Sequence, residues 1–410
     1  MTDRTPAASS GPVPWHPHDG PGHILELITT GRAQTRSGIA RITGLSRSTV
    51  SQRLDALLEA GLVWEGGTSA SSRGRPSRAL HLNAAAGIII AVDIGESRTR
   101  VAVTDLEAKV LSDSVEPLVL SEGPRTLLGR ITATVHEVIR DAGAEGKPVA
   151  GIGLGLPAPV DYEAGHVLGW SIMTGWDNYD IRAHLRADWP VPILIDNDVN
   201  LLTLAEHRRF WSDQRNLLYI KAGTGVGSGM VIDGHVHRGT QGAAGDIGHA
   251  HVSGFGDPQC RCGNQGCLES LVGGWALARD LREGRDAQGG DARYVVDRVR
   301  HGDSRALAAL RRAGRVLGES AAYATSLLNP DVIVLGGLLG TTGGHLMAGV
   351  REVVYQRSLP LATRQLQIVT TRYKSHAGIT GAAFLVRDHV LAPSTLDSAL
   401  AAGSSPFSAP

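Results

Sequence analysis

The chain has 410 residues, 42% of them hydrophobic but only 4% aromatic, with a formal net charge of zero at neutral pH. That length exceeds one simple core and points to two or three domains, while the charge balance excludes a chain that is polycationic as a whole. No apolar run reaches the roughly 18 residues of a membrane span, and only Lys109, Lys147, Lys221 and Lys374 stand among abundant arginines, an imbalance that reads as genome base composition rather than function.

Residues 1–20 are rich in Pro, Ser and Gly and lack the apolar run of a signal peptide, so they read as a disordered tail on a cytoplasmic protein. Between residues 21 and 82, eight arginines face four carboxylates, which concentrates basic charge in a small module. Ile24, Leu25, Leu27 and Ile28 give a first helix its apolar side, and Ile39, Ala40 and Ile42 a second, stopped by Gly44. Gly38 costs the second helix roughly 1 kcal/mol against alanine. Ser46 suits an N-cap for a third helix, where Val50, Leu54, Leu57 and Leu58 face inward. Arg47, Ser48, Thr49, Ser51, Gln52 and Arg53 face outward, able to donate to phosphates or base edges. Two apolar stretches, from Gly61 and from Arg78, then form a two-stranded wing with the tip Ser72-Arg73-Gly74-Arg75-Pro76. Arg73 and Arg75 on that thin backbone suit a narrow minor groove. The helices alone would also fit an ordinary bundle with a solvated basic linker; the wing favours a winged helix-turn-helix that binds double-stranded DNA.

From Ala85 the texture changes to apolar strands, glycine turns and Ala-rich helices. Strand, turn and strand run from Gly87 through Asp93 and Gly95 to Asp105, and the layout recurs from Asn216 through Gly223 and Gly225 to Asp233. Two ordinary hairpins would look the same, but the repetition suggests a duplicated α/β unit with a cleft between lobes. Gly223, Thr224, Gly225 and Gly227 offer backbone amides to phosphates. The apolar strand from Val191 ends in Asp196-Asn197-Asp198 before a helix, the position that faces the crevice of an α/β sheet. Asp198 could take a proton from a sugar hydroxyl and Asn197 could bind its neighbours; equally, the pair could cap the helix. Gly175-Trp176 could stack on a sugar face or fill core.

All three cysteines fall in Cys260-Arg261-Cys262-Gly263-Asn264-Gln265-Gly266-Cys267, just after Gly245-Asp246-Ile247-Gly248-His249. Three thiolates and an imidazole complete a closed tetrahedral shell for structural zinc. A disulfide is disfavoured by the odd count and by the closeness of Cys260 to Cys262.

These last motifs closely resemble the signature of the ROK family of repressors, open reading frames and sugar kinases, and the resemblance runs roughly from residue 21 to 391. It implies an α/β architecture: a winged helix-turn-helix over 21–83, then a two-lobed, actin-like (duplicated, ribonuclease H-like) domain. Lobe 1 would comprise 84–198 and 376–392, lobe 2 with the zinc loop 199–375, and 393–410 a second disordered tail. It further implies that Asp198 is the kinase base and that Asn197, Asp198, Asp246, His249 and Glu269 bind sugar, His249 also serving the metal with Cys260, Cys262 and Cys267. The wing resembles the Gly-Arg-Pro wing of ROK repressors, and Gly155-Leu156-Pro157-Ala158-Pro159 resembles the family's Gly-x-Pro-Gly-Pro loop. Two departures stand out. Asp246 replaces the usual glutamate, and Asp93-Ile94-Gly95-Glu96-Ser97-Arg98 replaces Asp-x-Gly-Gly-Thr-Lys, placing Glu96 where a triphosphate would pass. A carboxylate there repels phosphate, so ATP binding is not expected. The expectation is a sugar-responsive repressor of carbohydrate uptake or metabolism genes, acting as a symmetric oligomer (dimer or tetramer) on a palindromic operator; the alternative is an active ATP-dependent sugar kinase with a DNA-binding extension.

Overall fold

The computed structural model describes residues 20–69, 77–96, 98–117, 120–167, 173, 175–177, 179–282 and 291–407. Residues 1–19 of the tail expected over 1–20, the wing-tip residues Arg73 and Arg75, and residues 408–410 lie outside these.

Three helices open the chain: α1 (Pro21–Thr29), α2 (Arg36–Thr43) and α3 (Arg47–Glu59). Thr35 caps α2 by accepting from Gly38 N, and Gly44 ends it at φ 72°. Gly38 therefore sits in the first turn, against the Thr35 cap rather than in the helix interior, so the interior penalty does not apply to it. The Ser46 side chain caps α3 through Thr49 N at 3.1 Å. Ile24, Leu27, Ile39, Leu54 and Leu57 are completely buried, but Ile42 is 41% exposed and faces away from this core. Strands β1 (Val63–Ser69) and β2 (Ser77–Leu82) pair antiparallel as the wing.

The first sheet contains β3 (Ile88–Ile94), β4 (Thr99–Asp105), β5 (Val110–Glu116), β6 (Val149–Leu156) and, after the short hairpin β7 (Val160–Asp161) and β8 (His166–Val167), β9 (Ile193–Asn197). Helices α4 (Pro124–Asp141) and α5 (Ile181–Arg186) fall within this stretch. After α6 (Asp198–Phe210), the second sheet contains β10 (Leu217–Ala222), β11 (Val226–Ile232), β12 (His235–His237), β13 (Val332–Gly336) and β14 (Gln367–Thr370). Its helices are α7 (Leu268–Val272), α8 (Gly274–Leu281), α9 (Ala292–Arg300), α10 (Ser304–Leu328), α11 (Gly337–Gly340), α12 (His345–Arg357) and α13 (Pro360–Thr363). The sheet orders are β5-β4-β3-β6-β9 and β12-β11-β10-β13-β14. In each, the first strand pairs antiparallel with the second and parallel with the fourth. The duplication expected from the two hairpins extends to all five strands, and the fold is α/β.

The chain returns to the first sheet as α14 (Ala377–Val390). Glycines let it approach closely: a Cβ on Gly381 would lie 2.0 Å from Leu201 O of α6, and one on Gly153 2.4 Å from Ala382 O. The tail expected over 393–410 is corrected by α15 (Pro393–Ala401), with Leu396 and Phe407 buried. Composition suggested disorder there, but Pro393 sits at the favoured helix start and Leu396 finds an apolar partner surface in α1. Asp397 accepts from Gly22 N at 2.7 Å, which also buries Gly20. One hydrophobic cluster includes Leu27 and Leu54 of the N-terminal module, Phe384 and Leu385 of α14, Leu396 and Phe407. Trp176 is completely buried and donates Nε1–H to Leu120 O at 3.5 Å, so the core alternative is realised and it is no sugar platform.

Candidate functional site

A cleft partly open to solvent lies where the carboxyl ends of β6 and β9 face the β10–β11 turn. Asn197, Asp198, Asp246, His249, Glu269, Gly225 and Gly227 all line it, joined by Glu96. Asp93, Gly95, Gly223 and Thr224 sit beside the cleft but outside its lining.

Each wall follows from local geometry. Asn197 caps α6 by accepting from Val199 N at 2.9 Å and donates to Ala158 O at 3.0 Å. The cap therefore exists, and it also fixes Asn197 at the cleft. Asp198, first in α6 and 7% exposed, accepts from Lys221 Nζ at 2.5 Å. Lys221 rises from β10, so the contact links the two sheets. Burial pulls the Lys221 ammonium down in pKa, but Asp198, then Asp93 and Glu96, more than reverse this, and the net pKa is raised. Asp93, at the end of β3, is pushed from 3.8 to about 6, by burial first and then by the Asp198 charge.

Glu269 is held from three sides. Val226 N donates to it at 3.0 Å, Trp275 Nε1 at 3.0 Å and Arg261 Nη2 at 3.2 Å. A glycine-loop amide that could meet a phosphate thus serves Glu269 instead. Arg261 also reaches Glu96 at 3.4 Å across the cleft and lies 5.1 Å over the Trp275 ring. Behind the cleft, Arg238 pairs with buried Asp196 at 2.7 Å and lies 4.1 Å over the Tyr162 ring, tying β9 to the segment leading to Asp246.

The ligand atoms of His249, Cys260, Cys262 and Cys267 all lie within 4.8 Å of one another. Cys262 Sγ and Cys267 Sγ are 3.7 Å apart, and His249 Nδ1 is 3.8 Å from Cys260 Sγ. Zinc–sulfur bonds of about 2.3 Å set tetrahedral edges near 3.8 Å, so this donor set fits a metal ion such as zinc. The other imidazole nitrogen, Nε2, faces Asp246 at 4.0 Å, on the cleft side. Gly266, at φ 67°, makes the turn that returns Cys267 to the cluster.

On α3, Arg47, Ser48 and Gln52 are exposed, and Thr49, Ser51 and Arg53 half-buried. Ser48 and Thr49 hydroxyls already bond Ser46 Oγ at 2.8 and 2.9 Å, which orients them at the helix start.

The residues missed by sequence reasoning are Lys221 and Arg261. Each had a signal: a lysine inside the apolar strand Leu217-Leu-Tyr-Ile-Lys221-Ala222, and an arginine between two metal-spaced cysteines. Their partners are remote in sequence, so the pairing itself was not legible.

Fold and cleft define a two-lobed sugar-kinase-like domain carrying a helix-turn-helix module. Residues 89–389 match the ROK family and residues 23–63 a helix-turn-helix domain. The chain belongs to the ROK family. It is 28% identical over 385 residues to the xylose repressor of Caldicellulosiruptor bescii, covering 90% of this chain and 95% of that one. It is 27% identical over 318 residues to the glucokinase of Thermotoga maritima, covering 74% of this chain and 98% of the enzyme. A solved ROK family transcriptional regulator, a homologue of the Escherichia coli MLC protein, shares the fold with a TM-score of 0.77 at 24% identity, covering 94% and 99% of the two chains.

If the cluster holds a metal ion such as zinc, Cys262→Ser should bring it below one equivalent per chain and loosen the cleft; full occupancy in that variant, by elemental analysis, rules the cluster out as the metal's site. Asp93 binds its proton more tightly folded than unfolded, so the wild type loses stability as pH rises from 3.8 to about 6. Relative to Asp93→Asn it should lose about 2 kcal/mol between about pH 4 and pH 7, and parallel denaturation curves across that range would refute the burial of this charge.

Proposed function

We propose that this protein is a cytoplasmic, sugar-responsive transcriptional repressor whose two-lobed domain senses a sugar or sugar derivative and whose α3 and wing bind operator DNA. The observation that carries the reading is the joining of both parts by α14. Its first turn lies against Asp93, where a Cβ on Gly378 would come 2.4 Å from the carboxylate. Its later residues Phe384 and Leu385 belong to the same buried cluster as the DNA-binding module. A sugar that prefers one lobe arrangement therefore biases the module, and by linkage operator DNA biases sugar binding. The xylose repressor likeness over 90% of this chain supports the same reading. Among the described residues, no helix is long and apolar enough to cross a membrane.

Asn197, Asp198, Asp246, His249 and Glu269 offer acceptors to sugar hydroxyls. Structural zinc, held by His249, Cys260, Cys262 and Cys267, would fix the His249 ring and thereby the wall facing Asp246. Asp198 is in place for a kinase base, but Lys221 occupies its carboxylate and Glu96 stands at the phosphate loop. Coupled ATP turnover on simple sugars should be absent or marginal; robust turnover that vanishes in Asp198→Asn would make the protein a kinase instead.

One module supplies few contacts, so a symmetric oligomer on a palindromic operator is proposed. Arg47, Ser48, Thr49, Ser51, Gln52 and Arg53 would meet the major groove and the phosphates, and Arg73 and Arg75 a minor groove. Replacing Arg73 and Arg75 with alanine should weaken operator binding and flatten its salt dependence by roughly one unit per lost phosphate contact. Added sugar should release the operator. Failure of the wild type to shift any DNA from upstream of its own or neighbouring genes overturns the reading.

A further inference from the structure

We infer that the effector is an unphosphorylated, uncharged sugar, and that the cleft excludes sugar phosphates. The inference rests on the sensor reading above and concerns the same cleft.

Four carboxylates line the cleft: Glu96, Asp198, Asp246 and Glu269. Among the described residues only two full cations, Lys221 and Arg261, line it with them. Both cations are committed. Lys221 donates to the buried carboxylate of Asp198, and its charge also acts on Asp93. Arg261 bridges Glu96 at 3.4 Å and Glu269 at 3.2 Å while lying over Trp275. Turning Arg261 toward a phosphate would give up its pairs with Glu96 and Glu269, and turning Lys221 would give up its pair with Asp198, so any new ion pair in this half-buried site is opposed by the loss of an existing one. The backbone alternative is reduced as well, since Val226 N already donates to Glu269.

The same lining suits hydroxyls. A carboxylate is an acceptor only, and a sugar O–H donates to it without bringing charge into the cleft. Asp246 and Asp198 retain lone pairs for such donors beyond the contacts described. The wall that repels a phosphate is thus the wall that binds a neutral polyol.

The full-length protein should be titrated calorimetrically with matched pairs: glucose and glucose 6-phosphate, N-acetylglucosamine and its 6-phosphate, xylose and xylose 1-phosphate. At least one neutral sugar should bind, and its phosphate at least about tenfold more weakly. Glu96→Gln removes one carboxylate charge and loosens Arg261, so the ratio within that pair should narrow by about threefold or more. A phosphate that binds more tightly than its parent sugar, or an unchanged ratio in Glu96→Gln, overturns the inference while the regulator reading stands. Silence from every sugar, neutral and phosphorylated, overturns both.

Discussion

One half-buried ammonium organises the centre of this molecule. Lys221 leaves the second sheet and meets Asp198 at the end of the first, with Asp93 close behind. Carboxylates gathered so closely in a poorly hydrated space repel one another, and without a cation one of them would hold its proton. The lysine lets both lobes present acidic strand ends to a common cleft. The rest of the site follows from this. Asp198 is held as an acceptor rather than left as a free base, the first glycine loop carries Glu96 toward Arg261, and Arg261 in turn steadies Glu269. Arg238 and Asp196 form a second cross-tie behind them. The cleft is therefore defined by paired charges at its edges, and the small-molecule chemistry open to it is narrowed before any ligand enters.

Much of this architecture was legible in the sequence because it is local. The helix cap at Ser46, the stop at Gly44 and the paired hairpins depend on a few adjacent residues, and so does the cysteine cluster. The failures share a different character. Trp176 looked equally fit for stacking or core, since an indole is apolar in either place and only its remote neighbours decide. Ile42 carried the right periodicity and found no partner. Residues 393–401 looked disordered because their burial partner, α1, stands more than three hundred positions earlier in the chain. Lys221 and Arg261 were visible as oddities, but their meaning lies in carboxylates contributed by other elements. Short-range grammar survives a reading of the sequence; long-range electrostatic pairing does not.

The metal cluster links these levels. Its loop carries Arg261 between two of the four metal-competent residues, so the geometry of the donor set also aims the guanidinium across the cleft. His249 faces the cluster through Nδ1 and Asp246 through Nε2. The loop is tied at its guanidinium end and would be tied at its sulfur end by a bound metal ion, and Glu269 lies in the first turn of the helix that follows. Acceptors placed on such a scaffold need little reordering when a sugar arrives.

The shared core of the N-terminal module, α14 and α15 has a consequence for how such proteins are assembled and disassembled over evolutionary time. Residues 21–82 resemble a cassette in sequence, yet Leu27, Leu54, Leu396, Phe407 and Phe384 belong to one buried cluster. Removing the module would strip cover from α14 and strand α15, and transplanting it to another sensor would need a matching apolar surface there. The glucokinase relative corresponds to only 74% of this chain. Separating the two parts therefore asks for more than cutting the chain at residue 82: the face of α14 that carries Phe384 and Leu385 would need polar residues to meet water in place of its neighbour.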